Sequence, residues 1–407
     1  MTATQATGPR AALAHRPFRN WFIVQIFSGS GSSTQMIGMA WLVVRATGSG
    51  VALGLLTALS LVPVLLLGPL VGTLIDRMSR RVLLVATQSA YLVLATVLAA
   101  TTAADHTNLP VLYGVALLTG IVNAVDGPAR QVYLVDLVGP QMIPATVGLY
   151  EVVLNASRVL GPAAGGALLA TWGVVPCFVF NAITFVPVLL VLIFTHSGHE
   201  ERAKSGERAS FTAGIRWVAA NPHVAWMLLF AAVSGMLFNL SVTVPLVTQR
   251  VFGLGGGAYG ALVAVFGVGA LVGALAASNS SGTPRFRTVA LLAGATGAAI
   301  VLSALAPSEW LFGLGLAAIG GVSILFIARA NALVQLESPA HMRGRVMSLW
   351  NMAIPGMNPF TGLAAGAVAD AFGARAGFGL AGALFLVVFT ATLVFGRAHG
   401  RDSAPTG

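Results

Sequence analysis

Apolar residues in this chain fall in long runs broken only by scattered small or polar positions. Twelve runs stand out, roughly 19–44, 51–75, 82–102, 109–127, 144–170, 174–195, 223–248, 257–278, 287–306, 309–330, 344–370 and 374–396. About 20 such residues in a helix span the hydrocarbon layer of a bilayer, so each run predicts a membrane-crossing helix. Gly and Pro inside several of them are compatible with that reading, because neighbouring helices re-satisfy the backbone. Between the second and third runs lies Gly72-Thr-Leu-Ile-Asp76-Arg77-Met-Ser-Arg80-Arg81. An aspartate and three arginines this close cannot sit in hydrocarbon, so this is a short charged turn.

The longest polar stretch between runs, 196–222, separates six runs from six. It sets the expected organisation: an N-terminal six-helix bundle over 1–195, a central loop over 196–222, and a C-terminal six-helix bundle over 223–407. The end of the loop, Phe211-Thr-Ala-Gly-Ile-Arg216-Trp217-Val, reads as a short amphipathic helix at the membrane surface, with Trp217 at headgroup depth. The two halves repeat. Ala129-Arg130, Leu134-Val135 and Pro140 recur as Ala328-Arg329, Leu333-Val334 and Pro339 at an offset of 199, and Gly166-Ala167 recurs as Gly366-Ala367 at an offset of 200.

Composition agrees. Hydrophobic residues make up 57% of the chain and charged ones 8%, a balance of membrane proteins and not of soluble domains. The net charge of +10 suggests nucleic acid until the basic residues are placed on the runs. Eighteen of 22 then fall on one side of the membrane, three (Arg45, Arg250, Arg375) on the other, and Arg158 within a run. That asymmetry puts both termini in the cytoplasm and removes the nucleic-acid reading. The scarcity of lysine beside many arginines, with abundant Ala and Gly, points to a bacterial cytoplasmic membrane. No cleavable signal is evident before Arg19. The single cysteine, Cys177, excludes an internal disulfide and a thiolate metal cluster.

Several polar positions interrupt the runs. Glu151 is read as the acid well within a span, the other eleven lying in loops or at span ends. Glu151, Asn155 and Arg158 share an arc of about 60° on a helix. They are either a proton- or cation-binding group or a fixed structural pair. An offset of 200 sets Asn351 opposite Glu151 and Asn358 opposite Arg158. In the first run Gln25, Ser28, Ser32 and Gln35 form a polar stripe about 80° wide, suited to a cavity wall or to hydrogen bonding between helices. Asn239 and Thr243 add a smaller stripe in the seventh run. No P-loop exists, since the lone lysine, Lys204, follows alanine. No cofactor, metal site or catalytic constellation is read, because all seven histidines lie in loops or at span ends.

The charged turn has the form G-x-L-x-D-R-x-x-R-R and resembles the loop 2–3 signature of the major facilitator superfamily, in the place that family puts it. The resemblance covers about residues 16–397. It implies an all-α membrane fold of twelve helices in two pseudo-symmetric six-helix bundles. It further implies that Gly72, Asp76, Arg77, Arg80 and Arg81 belong to a gate, with Arg130 a partner for Asp76. Gly161-Pro162-x-x-Gly165-Gly166 resembles the superfamily's antiporter motif, with Ser157 where a glycine is usual; the alternative is an ordinary small-residue packing face. The arginine that many antiporters carry in the fourth span is absent from Leu117–Asp126. Asp126-Gly-Pro128-Ala-Arg130 with Leu137-Val-Gly139 resembles a branch that includes siderophore and macrolide exporters. The implied activity is export of a small, largely apolar compound in exchange for protons, by a monomer embedded in lipid. Import on the same fold and lipid flipping are the alternatives.

Overall fold

The computed structural model describes residues 9–138, 142–195, 211–237, 239–280 and 283–401, and all regular structure among them is helical. In chain order the helices are α1 (Pro9–Ala14), α2 (Arg16–Thr47), α3 (Gly50–Arg77), α4 (Arg80–Ala103), α5 (Leu109–Val138), α6 (Ile143–Thr171), α7 (Val175–Phe194), α8 (Phe211–Ala219), α9 (Pro222–Leu237), α10 (Leu240–Arg250), α11 (Gly256–Ser278), α12 (Phe286–Ala304), α13 (Glu309–Glu337), α14 (Ala340–Phe372) and α15 (Ala374–Arg401).

Nine helices among the described residues are long and apolar enough to cross a membrane, or ten if α9 and α10 form one span. The remaining two long helices, α2 and α14, have 32 and 33 residues, more than the length a bilayer requires. α2 carries the Gln/Ser stripe, and α14 carries Arg343, Arg345 and Asp370. Together these are the twelve spans read from the sequence.

Two differences from the sequence reading stand out. The fifth helical element, α5, runs to Val138 and not to 127, passing through Pro128. A proline removes one backbone donor and crowds the preceding turn, and the helix continues regardless. The seventh span is broken: Pro222–Met236 and Leu240–Arg250 meet at 45°. Asn239 is the N-cap of α10, the position asparagine favours over a helix interior. Its carbonyl accepts from the N–H groups of Val242 (3.0 Å) and Thr243 (3.1 Å).

The helices form two compact units. Unit one holds α1, α2, α4 to α7, residues 56–77 of α3 and residues 256–264 of α11; unit two holds residues 48–55, α8 to α10, residues 265–278 of α11, and α12 to α15. Two short segments, 48–55 and 255–264, belong to the unit opposite to the rest of their neighbours in sequence. In unit one, α2 packs on α6 and α7, and α4 on α5 and α7. In unit two, α12 packs on α13 and α15, and α14 on α9 and α15. Aromatic rings fill the second core, where Phe230, Phe326 and Phe385 meet at centroid distances of 5.9–6.1 Å.

Candidate functional site

The polar stripe of α2 opens onto a cavity of about 370 Å³ inside unit one. Ser28, Ser32, Gln35, Met36 and Met39 of α2 form one wall. Ser60 and Leu61 of α3, Thr119 and Asn123 of α5, Tyr150 and Leu154 of α6, and Asn181 and Phe185 of α7 close the others. The 3.6-residue repeat explains why the α2 residues share that face. Gln35 Oε1 accepts from Asn181 Nδ2 (2.8 Å). Tyr91 of α4, also in the wall, stacks on Phe185 with ring centroids 5.4 Å apart. Two lining atoms, Thr119 Oγ1 and Asn181 Oδ1, are buried without a hydrogen-bond partner among the described residues.

The charged centre of this cavity is one that the run of apolar residues concealed. Asp126 and Arg130, one turn apart on α5, both line it and form an ion pair. Asp126 is 2% exposed. Its Oδ1 accepts from Thr87 Oγ1 (2.8 Å) and Gln88 Nε2 (2.7 Å), and its Oδ2 from Arg130 Nη2. Gln25 lies against the same guanidinium. With its amide oriented to satisfy both groups, its oxygen accepts from Arg130 Nε (3.0 Å) and Nη1. Arg130 thus lies within the helix and pairs with Asp126, and Glu151 is not the one acid within a span; whether Asp76 also meets Arg130 lies outside the described residues. The pair sits inside the helical bundle because α5 does not stop at Pro128. The available signal was the Asp-x-x-x-Arg spacing, which aligns two side chains on one helix face.

Helix α6 meets its neighbours through the small residues singled out in sequence. A Cβ on Gly161 would come 2.7 Å from Ser30 O, and the Gly161 carbonyl accepts from Thr34 Oγ1 (2.8 Å). A Cβ on Gly165 would stand 3.2 Å from the Ile37 side chain, and one on Gly166 2.8 Å from Gly260 Cα. Pro162 and Ser157 are buried, Ser157 Oγ donating to Ile26 O at 3.3 Å. The Gly-Pro-x-x-Gly-Gly segment is thus a close-packing surface for α2 and the first turns of α11.

Other candidates lie elsewhere. Arg81 donates from Nε to Leu192 O (2.7 Å) and from Nη2 to Ile193 O, so it caps the end of α7. Arg158 is exposed on α6 and does not line the cavity. Asn239 does not line this cavity; its Nδ2 donates to Gly235 O (3.2 Å), Asn358 O (3.1 Å) and Thr361 Oγ1 (2.9 Å), fastening the break in the seventh span to α14. Asn358 therefore takes part through its carbonyl, and its Oδ1 is buried without a partner among the described residues. Gly72, Asp76, Arg77, Glu151, Asn155 and Asn351 lie in helices, but their side-chain surroundings fall outside the described residues. Among the described residues no group of three His, Cys, Asp or Glu could hold a metal ion.

Residues 7–404 match the family described as "Transmembrane secretion effector", MFS_3. Among curated relatives, the multidrug efflux pump Tap of Mycolicibacterium fortuitum is 26% identical over 86% of this chain and 88% of its own length. The staphyloferrin A transporter of Staphylococcus aureus is 27% identical over 60% of this chain, and the match spans 62% of that transporter's length. A bacterial homologue of the human lysosomal transporter Spinster, solved in an inward-facing, unoccupied conformation, superposes with a TM-score of 0.74 at 14% identity, covering 96% of this chain and 98% of its own. That likeness shows a shared fold.

Proposed function

Because the chain belongs to the transmembrane secretion effector family of major facilitator transporters, we propose that it exports a small, largely apolar compound in exchange for protons, and that Asp126 carries the proton. The observation that supports this is the buried Asp126–Arg130 pair facing a cavity walled by both polar and apolar side chains. An ionisable group inside a membrane protein is costly to keep and marks an ion or proton path. With Asp126 ionised the pair is neutral, and the cavity accepts an apolar or cationic guest. With Asp126 protonated, Arg130 brings an uncompensated charge into the same space. That charge repels a cation and draws water, so proton and guest exclude one another. Mutual exclusion is what exchange requires.

In this reading the protein is a monomer in the bacterial cytoplasmic membrane, with both termini inside as the arginine distribution supports. It works by alternating access, and the turn from Gly72 to Arg81 serves as its cytoplasmic gate. The efflux relatives favour export over import. Glu151, on one arc with Asn155 and Arg158, is the rival proton carrier. The deciding experiment is uptake of a compound panel into inverted vesicles at several imposed pH gradients, with wild type, Asp126→Asn and Glu151→Gln. Gradient dependence lost in Asp126→Asn and kept in Glu151→Gln supports Asp126. The reverse assigns the role to Glu151. No gradient dependence in the wild type overturns exchange.

A further inference from the structure

Helix α3 is unbroken from Gly50 to Arg77, yet residues 48–55 pack within unit two and residues from 56 onward within unit one. Helix α11 does the converse, with residues up to 264 in unit one and those from 265 in unit two. Both helices dock their first turns on a glycine of the partner helix. A Cβ on Gly50 would come 2.8 Å from Gly366 Cα on α14, and a Cβ on Gly166 of α6 would come 2.8 Å from Gly260 Cα on α11. Gly166 and Gly366 are the pair related by the internal repeat, so the two docks are equivalent positions of the two halves.

Their chemistry differs. The α6–α11 dock is apolar: Ala170 abuts Gly257, and Trp41 stacks on Tyr259 at 6.5 Å. The α3–α14 dock is held by Asp370. Its Oδ1 accepts from Gly50 N (2.8 Å) and Arg250 Nη2 (2.9 Å); its Oδ2 accepts from Ser49 Oγ (2.7 Å) and Val51 N (2.9 Å). One helix thus supplies the N-cap of another. Arg250, the last residue of α10, also donates from Nη1 to Ala369 O (3.2 Å) and from Nη2 to Gly48 O. The residue 200 positions before Asp370 is Ala170, so only one half has this arrangement. Asp370 and Arg250 are 27% and 34% exposed, which lets water take over their hydrogen bonds to residues 48–51 when α3 withdraws, while the ion pair itself, both partners in unit two, stays closed. Polar contacts at that exposure cost little to exchange for water, and a dry glycine contact has no such substitute partner.

We propose that Asp370 and Arg250 form a releasable clasp that sets the rate of one step of the transport cycle. It holds the first two turns of α3 on unit two, and it opens when α3 moves as one rod with the rest of unit one. The inference rests on the alternating-access reading. It concerns a positioning pair, away from the guest and the proton. Hydrogen exchange on the full-length protein in liposomes reads the clasp without any substrate, because the Gly50 and Val51 amides are the groups it protects. Asp370→Ala and Arg250→Gln should each speed exchange in 48–55 by about three- to fivefold, a change in the opening equilibrium of roughly 0.7–1 kcal/mol, while 255–264 is unchanged. In inverted vesicles with ethidium as the probe, both variants should alter the maximal rate several-fold at unchanged KM, and Asp370→Glu should restore most of it. Unaltered exchange in 48–55 overturns the clasp. Faster exchange with wild-type ethidium kinetics also overturns it, leaving a merely structural cap. If Asp370→Ala does not fold, Arg250→Gln decides alone, since it leaves α14 intact. A wild type that moves no ethidium counts against this probe or the export reading. The clasp is then decided by whether exchange in 48–55 changes when a pH gradient is imposed.

Discussion

Two aspartate–arginine pairs, Asp126–Arg130 and Asp370–Arg250, use the same chemistry for different ends. The first joins residues one turn apart on a single helix. Its partners Thr87 and Gln88 on α4 and Gln25 on α2 all surround one stretch of α5, and with Asp126 2% exposed the pair keeps a charge where hydration is scarce. The second joins residues 120 apart and gathers α3, α10 and α14 at one point, with both side chains partly exposed. A local buried pair is poorly suited to hold architecture and well suited to respond to a proton or a guest. A long-range, wetted pair is suited to hold and let go. Position in the chain and access to water, not residue type, separate the two roles.

The largest expected effect tests whether the buried pair is the responsive one. Asp126→Asn should lower gradient-driven flux by about 100-fold or more, the usual loss on removing a proton-transferring group. Asp370→Asn should retain the dependence on the gradient whatever its rate. If both variants lose that dependence, the two pairs do not differ as argued. Stability comes next. Arg130→Gln leaves a buried carboxylate without its counter-charge and should cost about 3–5 kcal/mol, read as a lower unfolding midpoint in detergent. Arg250→Gln should cost about 1 kcal/mol or less. Equal midpoints would erase the distinction between buried and wetted. Glu151→Gln should show the pH-gradient profile of the wild type in the same vesicles; a flattened profile would shift the proton role from α5 to α6. The smallest effect concerns single hydroxyl groups. Thr87→Val should destabilise by about 1 kcal/mol, the net value of one buried hydrogen bond, and Ser49→Ala by less, because water replaces Ser49 Oγ at Asp370. Thermal denaturation of the two variants side by side checks this order.

The helices were legible because a run of 20 apolar residues has few other uses, and the stripe on α2 was legible because a 3.6-residue period is visible in one dimension. The charged centre was not. Pro128 and the polar residues around it looked like the end of a span, whereas a helix embedded among others carries a proline without stopping. Asp126 and Arg130 were thereby placed at the end of a span, and not within the bundle that surrounds them. The bonds of Asn239 to α14 were not legible either. A polar residue within a span can face a cavity or bond another helix, and only the position of α14 distinguishes these. The clasp had no sequence signal, since Gly50, Arg250 and Asp370 are far apart and none is unusual by itself.

Arg81 has a consequence in time. Its guanidinium holds the carbonyls of Leu192 and Ile193, and Leu192 lies 111 residues downstream. A ribosome adding about 5–20 residues per second takes roughly 6–20 s to make that stretch. Throughout that interval the acceptors do not yet exist, and lipid headgroups and water must serve the arginine instead. The N-terminal bundle therefore cannot complete its packing helix by helix as it emerges. α4 can pack on α5 before then, but its first turn stays unfastened to α7 until Leu192 and Ile193 leave the tunnel.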